Sequence, residues 1–414
     1  MDIEGSNQII NPAQQVHGRE EIAAGIEVLE SGHWAEGIKS LEFRFALSKY
    51  IGIKNVTLTN SGSSANLAAI MALTTHWIPE DRRLVEGSEV ITPALCFPTT
   101  VSPIIYAGAI PVFVDVDRTW GIDTEQVEKA ITDKTRVIIT AHNLGNPVQM
   151  DKLRDICSEH NLYLITDCCD ALGCRWDGER SRAIGHIGTL SFYPAHHISC
   201  GEGGAVFTKD PEIHKAIKSM VNWGRDCWCE PGHDNTCGRR YKQQLGGLPY
   251  GYDHKNTFAE MGFNLKMTDI QAAIGIEQLK RVNGFIQVRE DNHKFFWEYF
   301  SKMNGWFELP MHYPEAMPSW FGYVVKLKEG TPFTRDEMVL DLDKAGIRSR
   351  AFFCGNITRQ PCLWKKGGYR VVGDLRISDE IMNNAFWIGV HPGIGEEQRR
   401  YMIQVLDNFL NKYK

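Results

Sequence analysis

Between residues 56 and 166, short apolar runs rich in β-branched side chains alternate with amphipathic stretches, and this alternation constrains the fold more than any other feature. The runs at 56–60, 89–92, 112–115, 136–140 and 163–166 have strand length and strand composition. Helical spacing follows from Pro98, at 124–131 and at 151–160. Strands that are apolar throughout must be covered on both faces, so the pattern predicts an α/β domain on a mostly parallel sheet. Ligands in such sheets gather beyond the carboxyl ends of the strands. Residues 61–64, Cys96 with Phe97, His142 with Asn143, and 167–170 all follow a predicted strand.

The remaining chain suggests three parts. Residues 1–35 read as an N-terminal arm with one helix at 18–31, and 36–280 as a large domain. Helical signal returns at 267–294, and 281–414 read as a smaller α+β domain with a strand at 322–327 and a helix at 334–345. Within the large domain, 225–252 shows no period and collects Gly, Pro, Cys, Asp and Asn, which marks a long loop.

At 414 residues and 43% hydrophobic composition the chain can bury two cores. A net charge of -6 and a pI near 6.2 provide no basic footprint, which argues against nucleic acid or an anionic membrane surface as partners. Residues 1–7 have neither the basic start nor the apolar run of a secretion signal, and no apolar stretch is long enough to span a bilayer. A cytoplasmic enzyme is the expectation, and its eleven cysteines then read as thiols, catalytic groups or metal ligands rather than disulfides.

Gly62, Ser63 and Ser64 follow the first strand and open a helix, where free N–H groups and the helix dipole can cradle a phosphate; a plain N-cap serine is the competing reading. Asp167 ends a buried-looking strand, and a carboxylate there can keep a pyridine nitrogen protonated. Phe97 can cover a cofactor ring, and Ser191 can donate to a phosphate. From Ser191 to Gly204 runs a short apolar segment with His196, His197 and a glycine-rich turn. No lysine occurs between Lys152 and Lys209, so a pyridoxal-type site here would have no Schiff-base anchor.

Taken together, Ser61-Gly-Ser-Ser-Ala65, Asp167, Ser191-Phe-Tyr-Pro194, Gly201-Glu-Gly-Gly-Ala205 and the segment Gly262 to Ala273 resemble the DegT/DnrJ/EryC1/StrS sugar aminotransferase family over nearly the whole chain. The resemblance implies the aspartate-aminotransferase-type fold (PLP-dependent fold type I), a homodimer, and a pyridoxal or pyridoxamine phosphate (PLP or PMP) cofactor. It makes Gly62, Ser63, Ser64 and Ser191 the phosphate cradle, Asp167 the ring-nitrogen partner, Phe97 the ring platform, and Asn264 a phosphate contact from the other subunit. His196 stands where the family carries its lysine. That change fits PMP chemistry, in which His196 moves a proton from the cofactor's 4′ carbon and a sugar hydroxyl is expelled. Asp170, where these aminotransferases tend to carry His or Gln, reads as a reaction-tuning residue, and Tyr193 joins the catalytic set.

Cys169, Cys227, Cys229 and Cys237 could together hold a [2Fe-2S] cluster or tetrahedral zinc, or lie together by coincidence; Cys168 and Cys174 compete with Cys169 as the fourth ligand. The spacing Cys-x57-Cys-x-Cys-x7-Cys resembles that of the PMP and iron–sulfur 3-dehydrases of 3,6-dideoxyhexose biosynthesis, which act on a CDP-linked 4-keto-6-deoxyglucose. The resemblance implies a separate flavin and iron–sulfur reductase as electron donor. Arg348, Arg350, Asn356 and Arg359 resemble the family's sugar-nucleotide contacts. The competing functions are a 3-dehydratase without net reduction, a PLP-dependent sugar aminotransferase, and a non-catalytic cofactor-binding scaffold.

Overall fold

In the computed structural model, which describes residues 9–230, 233–303, 305–365 and 367–414, the predicted alternation closes into one large sheet. Its strands are β1 (Asn55–Thr59), β2 (Glu89–Pro93), β3 (Ile110–Val114), β4 (Thr135–Ala141), β5 (Tyr163–Asp167), β6 (Ile187–Ser191) and β7 (Gly204–Thr208). They lie in the order β1-β7-β6-β5-β4-β2-β3, with Arg370–Val371 as a short outer edge beyond β3. Neighbours run parallel from β6 through β3, while β7 is antiparallel to both β1 and β6. The mostly parallel sheet and its helical cover have the layout of the aspartate-aminotransferase-type fold that the resemblance implied.

Every residue of β2, β5, β6 and β7 is buried, as expected of strands covered on both faces. Beneath one face Phe43, Leu47, Leu190, Phe192 and Leu279 share a core. On the other, Ala65 and Ala69 of the helix Gly62–Ala72 pack with Val90, Ile139, Ile165 and Val206. Its alanines at 65, 68, 69 and 72 are fully buried, so small side chains let this helix lie close against the sheet and fix its N-terminus at the end of β1.

A second, antiparallel sheet contains β8 (Phe307–Glu308), β9 (Gly322–Leu327), β10 (Arg350–Ala351) and β11 (Ala385–Gly389), ordered β10-β11-β9-β8. The two cores are joined by the 32-residue helix Asp269–Phe300. Ala272, Leu279 and Val282 pack into the large-domain core, and Phe296 and Phe300 into the small-domain one. The boundary expected at 280/281 therefore falls inside a continuous helix, which runs past residue 294 because its last turns have an apolar face to bury. Most of the 1–35 arm is described; residues 1–8 lie outside the described residues, and Ile10 pairs with Ile347 in the small-domain core. Among the described residues, 225–252 contain no helix or strand, and no helix is long and apolar enough to cross a membrane.

Candidate functional site

The carboxyl ends of β1, β5 and β6 open into a cleft of about 920 Å³ between the large sheet and the small domain. Gly62, Ser63, Phe97, Asp167, Asp170, Ser191, Tyr193, His196 and Arg350 all line it, as the sequence reading required. No lysine lines it among the described residues.

Ser61 caps the helix Gly62–Ala72, its Oγ accepting from Ser64 N at 3.0 Å, with Ser64 Oγ also 3.0 Å away. Ser64 thus belongs to the cap, while Ser61 stands on the cleft wall in its place. A Cβ on Gly62 would sit 2.5 Å from Ser191 Cβ and 2.9 Å from Cys169 Sγ, so only glycine lets the helix start approach β6 this closely. Open N–H groups at a helix start, beside the Ser63 and Ser191 hydroxyls, fit a phosphate.

Asp167 is 6% exposed and is fixed by residues that the sequence reading missed. Asn66 Nδ2 and Thr100 Oγ1 donate to its Oδ2 at 2.7 and 2.9 Å, and Cys169 N donates to Oδ1 at 3.2 Å. Asn66 is itself held by Thr189 Oγ1, 2.7 Å from its Oδ1. A carboxylate so preorganised at the floor of the cleft suits the ring nitrogen of a PLP-type cofactor. Phe97, half exposed above it, meets Phe353 of the small domain edge-on at 6.2 Å. His142 also lines the cleft, buried and bonded through Nε2 to Ala183 O at 2.6 Å, and burial lowers its pKa to about 4. The residues present fit PLP or PMP.

His196 Nδ1 lies 3.3 Å from Asp170 Oδ1, within ion-pair reach but off the line of a good hydrogen bond. Its ring packs against Phe321 at 5.3 Å, and its backbone N donates to Tyr193 O at 2.9 Å. His197 turns away from the cleft toward Ser319 O, 3.1 Å from Nε2, and burial with the nearby Arg289 cation lowers its pKa well below the ordinary value. Of the two adjacent histidines, His196 is therefore the one that the cleft presents.

Other expected residues lie elsewhere. Asn264 is exposed, bridged to Asn222, and does not line this chain's cleft. Arg348 is paired with Asp343, and Arg359 with Asp379 at 2.7 Å. Asn356 is fully buried, its side chain bonded to Asp379, Thr358 N and Thr358 Oγ1. Of the four expected substrate contacts only Arg350 faces the cleft; the other three side chains have partners within the small domain.

The four thiols do not assemble within one chain. Cys227, Cys229 and Cys237 share a small cavity with Asp234, Arg240 and His254 on the irregular loop. Cys169, just past β5, instead lines the cofactor cleft beside Gly62, where burial and the carboxylates of Asp167 and Asp170 push its thiol well above the usual range. Cys168 and Cys174 do not replace it, since both are buried in the large-domain core. Among the described residues no group of three or more His, Cys, Asp and Glu side chains is arranged to hold a metal ion. The expected four-thiolate set, with one member on the sheet and three on a surface loop, does not fit a cluster or zinc ion in this chain.

A sequence model of the DegT/DnrJ/EryC1/StrS aminotransferase family matches residues 15–407. The lipopolysaccharide biosynthesis protein RfbH of Salmonella typhimurium is 47% identical over 402 residues, which is 97% of this chain and 92% of that protein. The dTDP-4-dehydro-2,6-dideoxy-D-glucose 3-dehydratase of Saccharopolyspora spinosa is 41% identical over 404 residues, 97% of this chain and 87% of the relative. The solved structure of E. coli GDP-4-keto-6-deoxy-D-mannose-3-dehydratase with bound hydrated PLP aligns with a TM-score of 0.84 at 29% identity, covering 96% of this chain and 100% of that one.

Proposed function

The chain belongs to the DegT/DnrJ/EryC1/StrS aminotransferase family, and from that membership we propose that it removes the C-3 hydroxyl of a nucleotide-linked 4-keto-6-deoxyhexose, using PMP as cofactor. The observation that carries this reading is His196, set beside Asp170 in a cleft that no lysine lines among the described residues. PMP supplies an amine that condenses with the C-4 ketone and a ring that takes up electron density. Gly62, Ser63 and Ser191 bind its phosphate, Phe97 covers the ring face, and Asp167 keeps the ring nitrogen protonated. His196 takes the proton from the cofactor's C4′ and returns it to the departing hydroxyl, with Asp170 stabilising the charged imidazole. Arg350, on the cleft wall, would pair with the diphosphate of the substrate. We place this chemistry in the cytoplasm.

A reductive variant of the reaction is motivated by the resemblance of the thiol spacing alone, since the four thiols do not assemble within this chain. In that variant the substrate is CDP-4-keto-6-deoxy-D-glucose, the product a 3,6-dideoxyhexose precursor, and the electrons come from a separate flavin and iron–sulfur reductase. Because Cys169 lies apart from the loop thiols, no electron path is drawn through them. We propose a homodimer, with Asn264 serving the partner's phosphate site from its exposed position.

Borohydride reduction of the PLP-loaded protein followed by intact-mass analysis tests the reading. The expected result is no covalent cofactor on the chain. A lysine carrying the reduced cofactor would favour the aminotransferase instead.

A further inference from the structure

Arg289, on the long helix Asp269–Phe300, is 1% exposed, yet among the described residues no carboxylate hydrogen-bonds to its guanidinium. Its three hydrogen bonds go to backbone carbonyls: Nη1 to Phe321 O at 3.0 Å, and Nη2 to Ala195 O at 3.4 Å and His196 O at 3.2 Å. Burying a charge with neutral partners alone is costly, and a fold that keeps such a group is using its geometry. Here the geometry converges on one imidazole. Two of the carbonyls belong to the loop that carries His196, and the third belongs to Phe321, whose ring lies 5.3 Å from the His196 ring. The guanidinium carbon also stands 5.9 Å from the centre of the Phe321 ring; burial lowers the Arg289 pKa to about 10, and the charge of Asp170, the carboxylate beside His196 Nδ1, acts in the opposite direction.

We propose that Arg289 is a positioning residue for the proton-transfer step: its planar fork ties the His196 loop to the Phe321 segment and so fixes the imidazole against Asp170. The proposal rests on the assignment of His196 as the group that moves the C4′ proton. A fork is needed because the carbonyls lie on two separate segments, and a single ammonium at the end of a flexible stem cannot reproduce bonds from two nitrogens in one plane. Arg289 does not line the cleft.

With a 4-keto-6-deoxyhexose nucleotide present, the test compares solvent exchange of the PMP C4′ proton, followed by proton NMR in deuterated buffer, in wild type, His196→Asn and Arg289→Lys. Arg289→Lys is expected to slow exchange about 10- to 100-fold, the scale of a displacement near 1 Å, with cofactor affinity within about twofold of wild type. A histidine-selective NMR spectrum should show the His196 ring signals of Arg289→Lys shifted or broadened. Wild-type exchange in Arg289→Lys overturns the proposal, as does parallel loss of cofactor binding, which would mark a merely structural role. Exchange unimpaired in His196→Asn sinks the assignment of the proton-transfer residue itself, a different outcome. Should Arg289→Lys not fold, Phe321→Leu leaves the guanidinium in place and removes the ring it seats; slowed exchange with intact cofactor binding supports the proposal, and wild-type exchange overturns it.

Discussion

Asp167 and Cys237 both carry side chains of a kind that binds cofactors or metals, and their surroundings differ at every level. Asp167 ends a strand buried between two apolar layers, and donors from two helices and its own turn hold its carboxylate. Cys237 is exposed on a stretch without helix or strand, where a backbone N–H from Arg239 at 3.4 Å is the hydrogen bond its thiol accepts. Strand ends inherit their positions from the core, so the cleft is set before any ligand arrives. The loop is held instead by its own polar pairs, such as Arg240 with Asp253 at 2.7 and 2.8 Å, and not by a packed core.

The contrast can be broken or sharpened by substitution. The largest effect is expected in the cleft: His196→Asn should lower turnover of a 4-keto-6-deoxyhexose nucleotide by about 10²- to 10⁴-fold while PMP still binds, measured by product formation and by absorbance titration of the cofactor. Loss of binding in step with turnover would show that His196 is structural. Gly62→Ala comes next. Its Cβ would meet Ser191 Cβ at 2.5 Å, so the substitution should cost about 1–3 kcal/mol of stability and, by moving the helix start off β6, weaken PMP binding. Wild-type affinity would mean that the phosphate is held elsewhere.

A third prediction concerns acid. Buried His142 has a pKa of about 4, below the ordinary value of the unfolded chain, so the unfolded state takes up its proton first as pH falls from about 6.5. Unfolding free energy should therefore decline between pH 6.5 and 4 by on the order of 3 kcal/mol from this group, with His197 adding in the same direction. Urea titrations at pH 7 and pH 4.5 check it; equal midpoints would contradict the buried, neutral imidazoles. The smallest effect belongs to the loop: Cys227→Ser with Cys237→Ser should leave PMP affinity unchanged and shift apo-protein stability by no more than about 0.5 kcal/mol. A larger loss in a calorimetric scan would reveal a group bound at those thiols that the isolated chain does not preassemble.

The part of this site that was legible in the sequence is the part carried by local pattern. The strand–helix alternation located the sheet, and the ends of β1, β5 and β6 with the segments that follow them bring Gly62, Asp167, Ser191 and His196 to one cleft. What stayed hidden depends on contacts far apart in the chain. Asn66 and Thr100 reach Asp167 across 101 and 67 positions, and Arg289 reaches the His196 carbonyl across 93. No period or motif marks such residues, because their role comes from the packing of one element over another. The small-domain cluster misled in the opposite way: Arg348 and Arg359 look like phosphate contacts until the structure shows Asp343 and Asp379 beside them.

If His196 does the proton work that a lysine does in the aminotransferases, exchange of the PMP C4′ proton depends on its imidazole. In deuterated buffer with substrate present, proton NMR should show stereospecific loss of one C4′ hydrogen in wild type and none in His196→Asn at equal cofactor occupancy. Exchange at the wild-type rate in His196→Asn would contradict the account.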